Sequence, residues 1–280
     1  MAQIIDGKLV AKSYLNNLEE DISRLKARPC LAVIIVGEDP ASKIYVNLKK
    51  KKAVELGLNS IVIELPENIS ECDLLNKIDE LNKDENIHAI LVQMPLSKHI
   101  NANVVIEKIS PEKDVDCFHP YNVGKIATAN TPYVYPCTPK GIMRLLDYYK
   151  IDVEGKNVVV IGRSNIVGRP MAQMLLNANA TVTVCHSKTK NLSEITKTAD
   201  ILISAVGSKN LVVKDMVKEG SVIIDVGMNK GENGELCGDV DFENVKEIAS
   251  FITPVPGGVG PMTICSLMIN TVDLYKKQVK

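Results

Sequence analysis

Short apolar runs alternate with amphipathic stretches along most of the chain, which is typical of parallel β-strands joined by crossover helices. The run LAVIIVG (31–37) is apolar up to its glycine, as expected of a strand buried on both faces. A helix is predicted over 42–56 and ends at Gly57. These patterns predict an α/β fold with a parallel sheet. Further strands are predicted at 60–65, 88–95, 157–162, 181–187, 200–207 and 221–227, and a further helix at about 71–82.

The alternation is interrupted near the middle of the chain, where PEKDVDCFHP (111–120) and the proline-containing YVYPCTP (133–139) are loop-like. Thr138 and Pro139 then suit a helix start, with Thr138 as N-cap and Pro139 in the first helical position. FITPVPGGVGPMT (251–263) starts as a strand and is predicted to end as a glycine-rich loop. We therefore predict an N-terminal domain (1–138), a second α/β domain (139–265), and a last helix (266–280) that packs back on the first domain.

Composition narrows the function classes. The 280 residues are 45% hydrophobic and 24% charged, with a formal net charge of −1, which is ordinary for a globular protein and argues against a nucleic-acid reader. The seven cysteines are scattered, with no C-x-x-C pair, which favours reduced thiols over a disulfide framework or a metal site. No signal peptide or membrane-spanning run is visible. We expect a soluble cytoplasmic protein without metal.

The second domain opens with a candidate dinucleotide site. NVVVIG (157–162) runs into the loop GRSNIVGRP (162–170) and then into a predicted helix near Pro170. This loop is not G-x-G-x-x-G, and a tight strand-to-helix turn would explain it equally well. In the dinucleotide interpretation, Gly162 turns the chain, Gly168 permits close packing, and free N–H groups at the helix start face the pyrophosphate.

The end of the next strand bears on the choice of cofactor. An NAD-preferring site usually places a carboxylate there for the ribose 2′-hydroxyl, but the chain reads CHSKT (185–189). Arg163 and Ser187 could instead hold a 2′-phosphate, because a guanidinium and a hydroxyl both donate to phosphate oxygens. This favours NADP over NAD. His186 is given no catalytic role.

Six segments together resemble the bifunctional methylenetetrahydrofolate dehydrogenase/cyclohydrolase family, in the family's order and over nearly the whole chain. The resemblance implies NADP-dependent oxidation of 5,10-methylenetetrahydrofolate, then hydrolysis of the methenyl product to 10-formyltetrahydrofolate. It also implies an N-terminal catalytic domain, a Rossmann-like dinucleotide-binding domain and a homodimer. The segments are VGEDPASKIYVNLK (36–49), LVQMPL (91–96), PEKDVD (111–116), GRSNIVG (162–168), CHSKT (185–189) and PGGVGPMT (256–263).

Four consecutive lysines, 49–52, illustrate what the resemblance adds. Composition alone favours a solvated helix face. The family match implies instead that Lys49 is catalytic and that Tyr45, one helical turn earlier, stacks on the folate ring. Helical position alone does not separate Lys49 from Lys52, which also has apolar neighbours. For Lys50 and Lys51 the solvated interpretation holds.

The other candidate catalytic residues follow from the same match. Gln93 corresponds to the glutamine that hydrogen-bonds the lysine, and Asp116 to the carboxylate that accepts from the pterin; either could otherwise be an ordinary polar residue. A lysine at its usual pKa cannot accept a proton at neutral pH, so we expect burial beside a cationic substrate to lower the pKa of Lys49. Ser42 belongs to the same motif and is assigned to substrate binding. Asp114 is interpreted as structural.

The loop that begins at Pro256 completes the candidate site. The resemblance implies that it lines the place where nicotinamide and folate meet, with Pro256, Gly257 and Gly258 binding substrate. A contact for Thr263 stays open. The residues assigned to the cofactor are Gly162, Arg163, Ser164, Val167, Gly168, Ser187 and Gly258.

One position departs from the family pattern D-V-D-G-F-H, since Cys117 stands where that pattern has glycine. If the position needs a positive φ, a cysteine strains the loop that carries Asp116.

Three alternatives stay open at this point. A monofunctional NADP-dependent dehydrogenase would oxidise the substrate without hydrolysis. A dinucleotide-binding regulator would bind NADP without turnover. A nucleic-acid module built on the lysine run would be retained on heparin, which the net charge disfavours.

Overall fold

The structure is a computed structural model that describes residues 1–231 and 234–279. The chain forms two compact units. The six-stranded unit comprises Met1–Ser13 and Thr138–Thr263, and the three-stranded unit comprises Tyr14–Cys137 and Ile264–Lys280. These divisions fall next to the predicted ones at 138/139 and 265/266. Residues 1–13 differ from the predicted division because strand β1 (Gln3–Ile4) pairs in parallel with a late strand, Phe251–Ile252.

The three-stranded unit is a small parallel sheet with helices. Its sheet has the order β3-β2-β4, with both neighbours parallel to β2. Helix α1 contributes residues to both units. The elements in chain order are α1 (Gly7–Ser23), β2 (Cys30–Val36), α2 (Pro40–Glu55), β3 (Asn59–Leu65), α3 (Glu71–Lys83), β4 (Ala89–Val92), α4 (Ala102–Lys108) and α5 (Pro120–Ala127).

Local sequence explains these elements. Strand β2 is buried at every position because it is the central strand, and its residues CLAVIIV are apolar throughout. Helix α2 begins at Pro40, and the Asp39 side chain accepts from the Ser42 N–H at 2.8 Å, which caps its first turn. Helix α3 buries Leu74, Ile78 and Leu81 at helical spacing against the sheet core.

The six-stranded unit is a larger parallel sheet of order β1-β11-β8-β7-β5-β6. Its central strands are buried along their whole length, as is usual for parallel sheets. Helix α7 packs on β5 and β6. The elements are α6 (Cys137–Tyr148), β5 (Asn157–Ile161), α7 (Gly168–Asn177), β6 (Thr181–Cys185), α8 (Leu192–Thr196), β7 (Ile201–Ser204), β8 (Val222–Asp225), the short pair β9 (Asn229–Lys230) and β10 (Leu236–Cys237), α9 (Phe242–Val245), β11 (Phe251–Ile252) and α10 (Val259–Gln278).

Two helices begin earlier in the sequence than predicted. Helix α6 begins at Cys137, so Thr138 is a helical residue and not the N-cap. Helix α10 begins at Val259, so the predicted glycine-rich loop ends at Gly258. In both cases a proline, Pro139 or Pro261, lies in the first turn, where its missing N–H removes no helical hydrogen bond. Proline therefore marks each helix start only to within about one turn.

Helix α10 has 20 residues and contributes to both units. In the described residues, no helix is both long enough and apolar enough to cross a membrane.

Candidate active site

Helix α2 aligns three of the candidate residues on one face. Ser42, Tyr45 and Lys49 follow one another at spacings of three and four residues, which places them on adjacent turns. Ser42 is buried, whereas Tyr45 and Lys49 are partly buried. This face therefore carries a hydroxyl, a phenol ring and an amine, with Tyr45 and Lys49 retaining partial access to solvent.

A hydrogen bond joins Lys49, on α2, to Gln93, the residue that follows β4. The Gln93 N–H donates to the Ile34 carbonyl at 2.8 Å, which places Gln93 directly after the carboxyl end of β4. Lys49 Nζ donates to Gln93 Oε1 at 2.9 Å, and Gln93 Nε2 donates to the Met94 carbonyl at 2.7 Å. The second bond fixes the amide so that its oxygen faces the amine. Lys49 and Gln93 are brought together although 44 residues separate them.

The other three lysines of the run have different surroundings. Lys52 Nζ donates to the Glu55 carboxylate at 2.6 Å, and Lys51 Nζ lies 4.0 Å from the same carboxylate. Lys50 is exposed. These are surface contacts within one helix, whereas Lys49 reaches across to β4. Helical position did not separate Lys49 from Lys52, but their contacts differ: Lys49 donates to Gln93 and Lys52 to Glu55.

Asp116 follows a segment that runs beside β4. The Ile90 N–H donates to the Lys113 carbonyl at 2.7 Å, so Asp114 is bridged to β4 in parallel and Asp116 is carried to the strand's carboxyl end. Burial raises the pKa of the Asp116 carboxyl above its usual range. The charge of Lys49 and a hydrogen bond from the Cys137 thiol act in the opposite direction. Asp116 therefore lies within the electrostatic reach of Lys49 and retains partial solvent exposure.

The turn around Asp116 is held by a second carboxylate. Asp114 is buried and accepts from the Phe118 N–H at 3.2 Å, the His119 N–H at 2.9 Å and Asn122 Nδ2 at 3.0 Å. Cys117, inside this turn, has a φ of 61° and is fully buried. The condition for strain at this position is therefore met, because a non-glycine residue adopts the left-handed conformation that glycine adopts most easily.

In the six-stranded unit, two glycines let the loop after β5 pack closely. Gly162 has a φ of 118°, and a Cβ there would lie 2.4 Å from the Ala205 carbonyl oxygen. A Cβ on Gly168 would lie 2.2 Å from the Gly162 carbonyl oxygen. Both positions therefore require glycine, one for the turn and one for the approach of α7, as the sequence predicted.

The first amides of α7 differ from the prediction of free N–H groups. The N–H groups of Val167 and Gly168 point to the Ser164 hydroxyl oxygen at 3.2 and 3.3 Å. Ser164 lies three and four residues before them, in the loop between β5 and α7. Because these two N–H groups already have a partner, the donors that remain for a phosphate are side-chain groups as much as backbone N–H groups.

The residues around this loop fit a phosphorylated dinucleotide. Gly162 N–H donates to the Cys185 carbonyl at 2.9 Å, so the ends of β5 and β6 are adjacent. Arg163 and Ser187, which lie just beyond these ends, are both exposed. The turn after β6 is closed by the His186 N–H donating to Thr189 Oγ1 at 2.8 Å, and CHSKT (185–189) contains no carboxylate. A guanidinium, a hydroxyl and no acid suit a 2′-phosphate.

The segment at Pro256 is tightly constrained within the six-stranded unit. Gly257 has a φ of 113°. A Cβ on Gly258 would lie 2.6 Å from the Thr253 side chain, and a Cβ on Gly7 would lie 1.7 Å from the Gly258 carbonyl oxygen. Thr263 lies one turn into α10, with its hydroxyl 3.0 Å from that of Thr138. The backbone here is bare and fixed by close packing.

Sequence reasoning missed several residues that shape these sites. Cys137 bonds to Asp116, and the fully buried Asn270 donates to the carbonyls of Val115 and Tyr135 at 2.9 and 2.8 Å. The sequence contains no signal for such long-range contacts. A pair of buried aspartates in the six-stranded unit, Asp225 and Asp239, was also missed.

Comparison with known proteins identifies the family. The model of the tetrahydrofolate dehydrogenase/cyclohydrolase catalytic domain matches residues 5–116, and that of the NAD(P)-binding domain of the same family matches residues 136–279. The chain belongs to this family.

Similarity of this dehydrogenase/cyclohydrolase to individual relatives extends over the full length. It is 55% identical to the bifunctional protein FolD of Ligilactobacillus salivarius, with 100% of this chain and 99% of the relative covered. The crystal structure of the bifunctional FolD enzyme from Campylobacter jejuni matches with a TM-score of 0.97 at 51% identity, over 99% of both chains. The Trypanosoma brucei FolD structure, complexed with NADP cofactor and an inhibitor, matches with a TM-score of 0.95 at 40% identity, over 100% of this chain and 99% of that one.

These similarities confirm several predictions. The predicted family and the α/β fold with a parallel sheet are confirmed. The chain is a bifunctional tetrahydrofolate dehydrogenase/cyclohydrolase that uses NADP, so the monofunctional alternative and the non-catalytic regulator are set aside.

Proposed function

We propose that Lys49 is the central catalytic residue of two successive reactions, NADP-dependent oxidation of 5,10-methylenetetrahydrofolate and hydrolysis of 5,10-methenyltetrahydrofolate to 10-formyltetrahydrofolate. The observation that carries this proposal is the 2.9 Å hydrogen bond from Lys49 Nζ to Gln93 Oε1. That bond singles out one lysine from a run of four and orients its amine.

In the hydrolysis, Lys49 acts as general base. In its unprotonated form, the Lys49 amine donates one N–H to Gln93 Oε1 and keeps its lone pair for another direction, toward a water molecule at the methenyl carbon. The water oxygen forms a bond to that carbon, and its proton passes to Nζ. The bond between the carbon and N5 then breaks as the carbon–oxygen double bond of the formyl group forms, the remaining hydroxyl proton passes to N5, and the formyl group stays on N10.

Gln93 and Tyr45 support this step. Gln93 is a positioning residue, since its own Nε2 is bonded to the Met94 carbonyl and its oxygen therefore stays directed at Lys49. Tyr45, one turn before Lys49 on α2, offers an aromatic face against which the folate ring stacks. Ser42, one turn earlier still, is proposed to contact the substrate from the same helical face.

Asp116 is proposed to bind the pterin. The pterin's amino group and neighbouring ring nitrogen present adjacent N–H donors, which a carboxylate accepts with both oxygens. Because Asp116 is partly exposed and lies near Lys49, it can hold the ring while the one-carbon unit lies toward the amine.

For the oxidation, NADP⁺ supplies a hydride acceptor when bound. Arg163 and Ser187 are proposed to hold its 2′-phosphate, and Ser164, Val167, Gly162 and Gly168 its pyrophosphate. Pro256, Gly257 and Gly258 are proposed to offer bare backbone to the flat rings, with Gly258 contacting both ligands. The close packing of these glycines supports the assignment, because a side chain at Gly162, Gly168 or Gly258 would collide with backbone or side-chain atoms.

We further propose that the enzyme is a cytoplasmic homodimer that binds neither nucleic acid nor membrane. The resemblance to the family supports the dimer, and the net charge of −1 and the scattered cysteines support the rest.

The test compares Lys49→Ala with Lys52→Ala, a matched loss of one lysine from the same run. Methylenetetrahydrofolate is followed with NADP⁺ and then with NAD⁺, and methenyl and formyl products are resolved. We expect Lys49→Ala to lose hydrolysis by roughly 100- to 10,000-fold and Lys52→Ala to retain it. Wild-type hydride transfer without any hydrolysis, or equal effects of the two substitutions, would refute the role of Lys49.

A further inference from the structure

Two aspartates are buried at the carboxyl end of the parallel sheet in the six-stranded unit. Asp225 is the last residue of β8 and is 3% exposed, and Asp239 follows β10 and is 0% exposed. Buried carboxylates are rare unless they are paired or fully hydrogen-bonded. Neither belongs to the residues assigned above to substrate or cofactor.

Asp239 accepts hydrogen bonds from three consecutive backbone amides. The N–H groups of Val206, Gly207 and Ser208 lie 2.9, 3.3 and 2.8 Å from its oxygens. Ser204 Oγ donates at 3.1 Å and Asn229 Nδ2 at 3.0 Å. The carboxylate therefore determines the path of the segment that follows β7, here called the 205–208 segment.

Asp225 in turn fixes Asp239. Its oxygens accept from the N–H groups of Gly227, Asp239 and Val240 at 2.9, 3.0 and 2.9 Å. A Cβ on Gly227 would lie 2.3 Å from Asp239 Oδ1, and a Cβ on Gly238 would lie 1.8 Å from Asp225 Oδ2. The two glycines therefore make room for the two carboxylates.

The place of the 205–208 segment in the sheet connects it to the cofactor. The strand order runs β6, β5, β7, β8. In a doubly wound sheet the dinucleotide crosses the carboxyl ends of the strands. With the 2′-phosphate at the end of β6 and the pyrophosphate at the end of β5, the nicotinamide half extends over the ends of β7 and β8. The Ala205 carbonyl also packs against Gly162, since a Cβ added to Gly162 would lie 2.4 Å from the Ala205 carbonyl oxygen.

We propose that Asp239 is a positioning residue for the nicotinamide half of NADP, acting through the 205–208 segment. It does not touch the cofactor itself. This inference rests on the proposed function, because it takes the site at Gly162, Arg163 and Ser187 as the adenosine and pyrophosphate site.

The substitution that tests it is Asp239→Asn. The amide keeps the shape of the side chain but turns an NH₂ group toward donors that need an acceptor. We expect the rate of hydride transfer to fall roughly 10- to 100-fold, because a displacement of about 1 Å suffices for such a loss. Binding of adenosine 2′,5′-bisphosphate, measured by calorimetry, and hydrolysis of supplied methenyltetrahydrofolate are expected to match wild type.

Asp200→Asn is the matched control. Asp200 also accepts from a backbone amide, that of Asn157 at 2.9 Å, and from Lys218 Nζ at 2.6 Å, but at the amino ends of the strands. This variant is expected to lose stability and to keep the hydride-transfer rate. If Asp239→Asn does not fold, Ser204→Ala removes one of the five hydrogen bonds without introducing a donor, and is expected to slow hydride transfer about threefold.

The outcomes separate the two proposals. A wild type that does not bind adenosine 2′,5′-bisphosphate refutes the proposed cofactor site at Gly162, Arg163 and Ser187. An active wild type with unchanged hydride transfer in Asp239→Asn refutes the inference alone. Parallel losses of hydride transfer, hydrolysis and adenosine 2′,5′-bisphosphate binding would also refute it, since they would indicate a general structural role.

Discussion

Each unit holds a pair of aspartates near the carboxyl end of its parallel sheet. The two pairs differ in how many hydrogen bonds their carboxylate oxygens accept from other groups of the protein. Asp225 and Asp239 of the six-stranded unit accept three and five hydrogen bonds. Asp114 of the three-stranded unit accepts three. Asp116 combines a contact to the Cys137 thiol with partial solvent exposure.

The difference teaches how to separate a ligand-binding carboxylate from a structural one. Burial raises the pKa of Asp114, Asp116 and Asp225 alike, so a raised pKa does not distinguish them. Hydrogen bonds from strong donors inside the protein do distinguish them. A carboxylate whose oxygens already accept from backbone amides has little capacity left for a ligand. This criterion agrees with our proposal that Asp116 is the member that binds a ligand.

The largest expected effect that tests this criterion is on folate binding. Asp116→Asn removes the charge that the pterin donors require, so the Michaelis constant for methylenetetrahydrofolate is expected to rise roughly 10- to 100-fold. Because burial raises the pKa of Asp116, the wild-type constant should also rise on mild acidification, as the carboxylate takes up a proton. Steady-state kinetics against pH measures both.

Asp114→Asn provides the contrast. Its amide would face two backbone N–H groups, so the free energy of unfolding is expected to fall by about 1–3 kcal/mol. Urea unfolding should show a smaller loss for Asp116→Asn. The criterion fails if Asp116→Asn is the more destabilising of the two and leaves folate binding unchanged.

An intermediate effect is expected from Asp225 on the pH dependence of stability. Burial raises its pKa to about 6 in the folded protein, from 3.8. The folded state therefore binds a proton more tightly than the unfolded state, and this group makes the protein more stable as the pH falls from 6 toward 4. Between pH 7 and pH 5 the gain from this carboxyl is about 1 kcal/mol.

The measurement is the difference in unfolding free energy between wild type and Asp225→Asn at pH 7 and pH 5. Other carboxylates contribute equally to both proteins and cancel. The gain should vanish in the variant, which does not titrate. Identical pH profiles would show that Asp225 keeps an ordinary pKa. Burial of the Asp225–Asp239 pair would then affect the charged carboxylate less than the structure indicates.

The smallest expected effect is that of Cys117→Gly, in the turn that carries Asp116. Cys117 has a φ of 61°, which costs a non-glycine residue about 1 kcal/mol. Cys117→Gly relieves that strain but adds freedom to the unfolded chain and removes a buried thiol, so the net change is expected to stay below about 1 kcal/mol. Folate binding should be unchanged.

Cys117→Val sharpens the comparison. A β-branched residue tolerates the left-handed conformation far less well, and a loss of more than about 2 kcal/mol is expected in urea unfolding. Equal stability of the glycine and valine variants would mean that the turn adopts another conformation in solution.

The sequence was most informative where local pattern decides the structure. The apolar run at 31–37 predicted β2 because a central parallel strand is buried on both faces, and Gly162 and Gly168 were predicted because a tight strand-to-helix turn needs them. Local pattern was less informative at helix starts, where Pro139 and Pro261 marked the first turn but not its first residue.

The candidate site depended on contacts that local pattern does not contain. Lys49 and Lys52 look alike on a helical wheel, and what separates them is Gln93, 44 residues away from Lys49. Asp114 and Asp239 have ordinary neighbours in sequence, and the donors they accept from are fixed only by the tertiary fold. Family resemblance proposed Lys49, but no pattern in the chain indicated the Asp225–Asp239 pair.

The route of the chain between the units has a consequence for its synthesis. The six-stranded unit has all its residues once Thr263 is made, whereas the three-stranded unit still lacks Ile264–Lys280. Asn270 bonds to the Val115 and Tyr135 carbonyls, and the Tyr275 hydroxyl accepts from the Ala27 N–H at 3.2 Å. On the ribosome, the three-stranded unit, whose strands β2, β3 and β4 emerge before β5, is therefore the last to be completed, and Lys49 is made more than 200 residues before the segment that completes its unit.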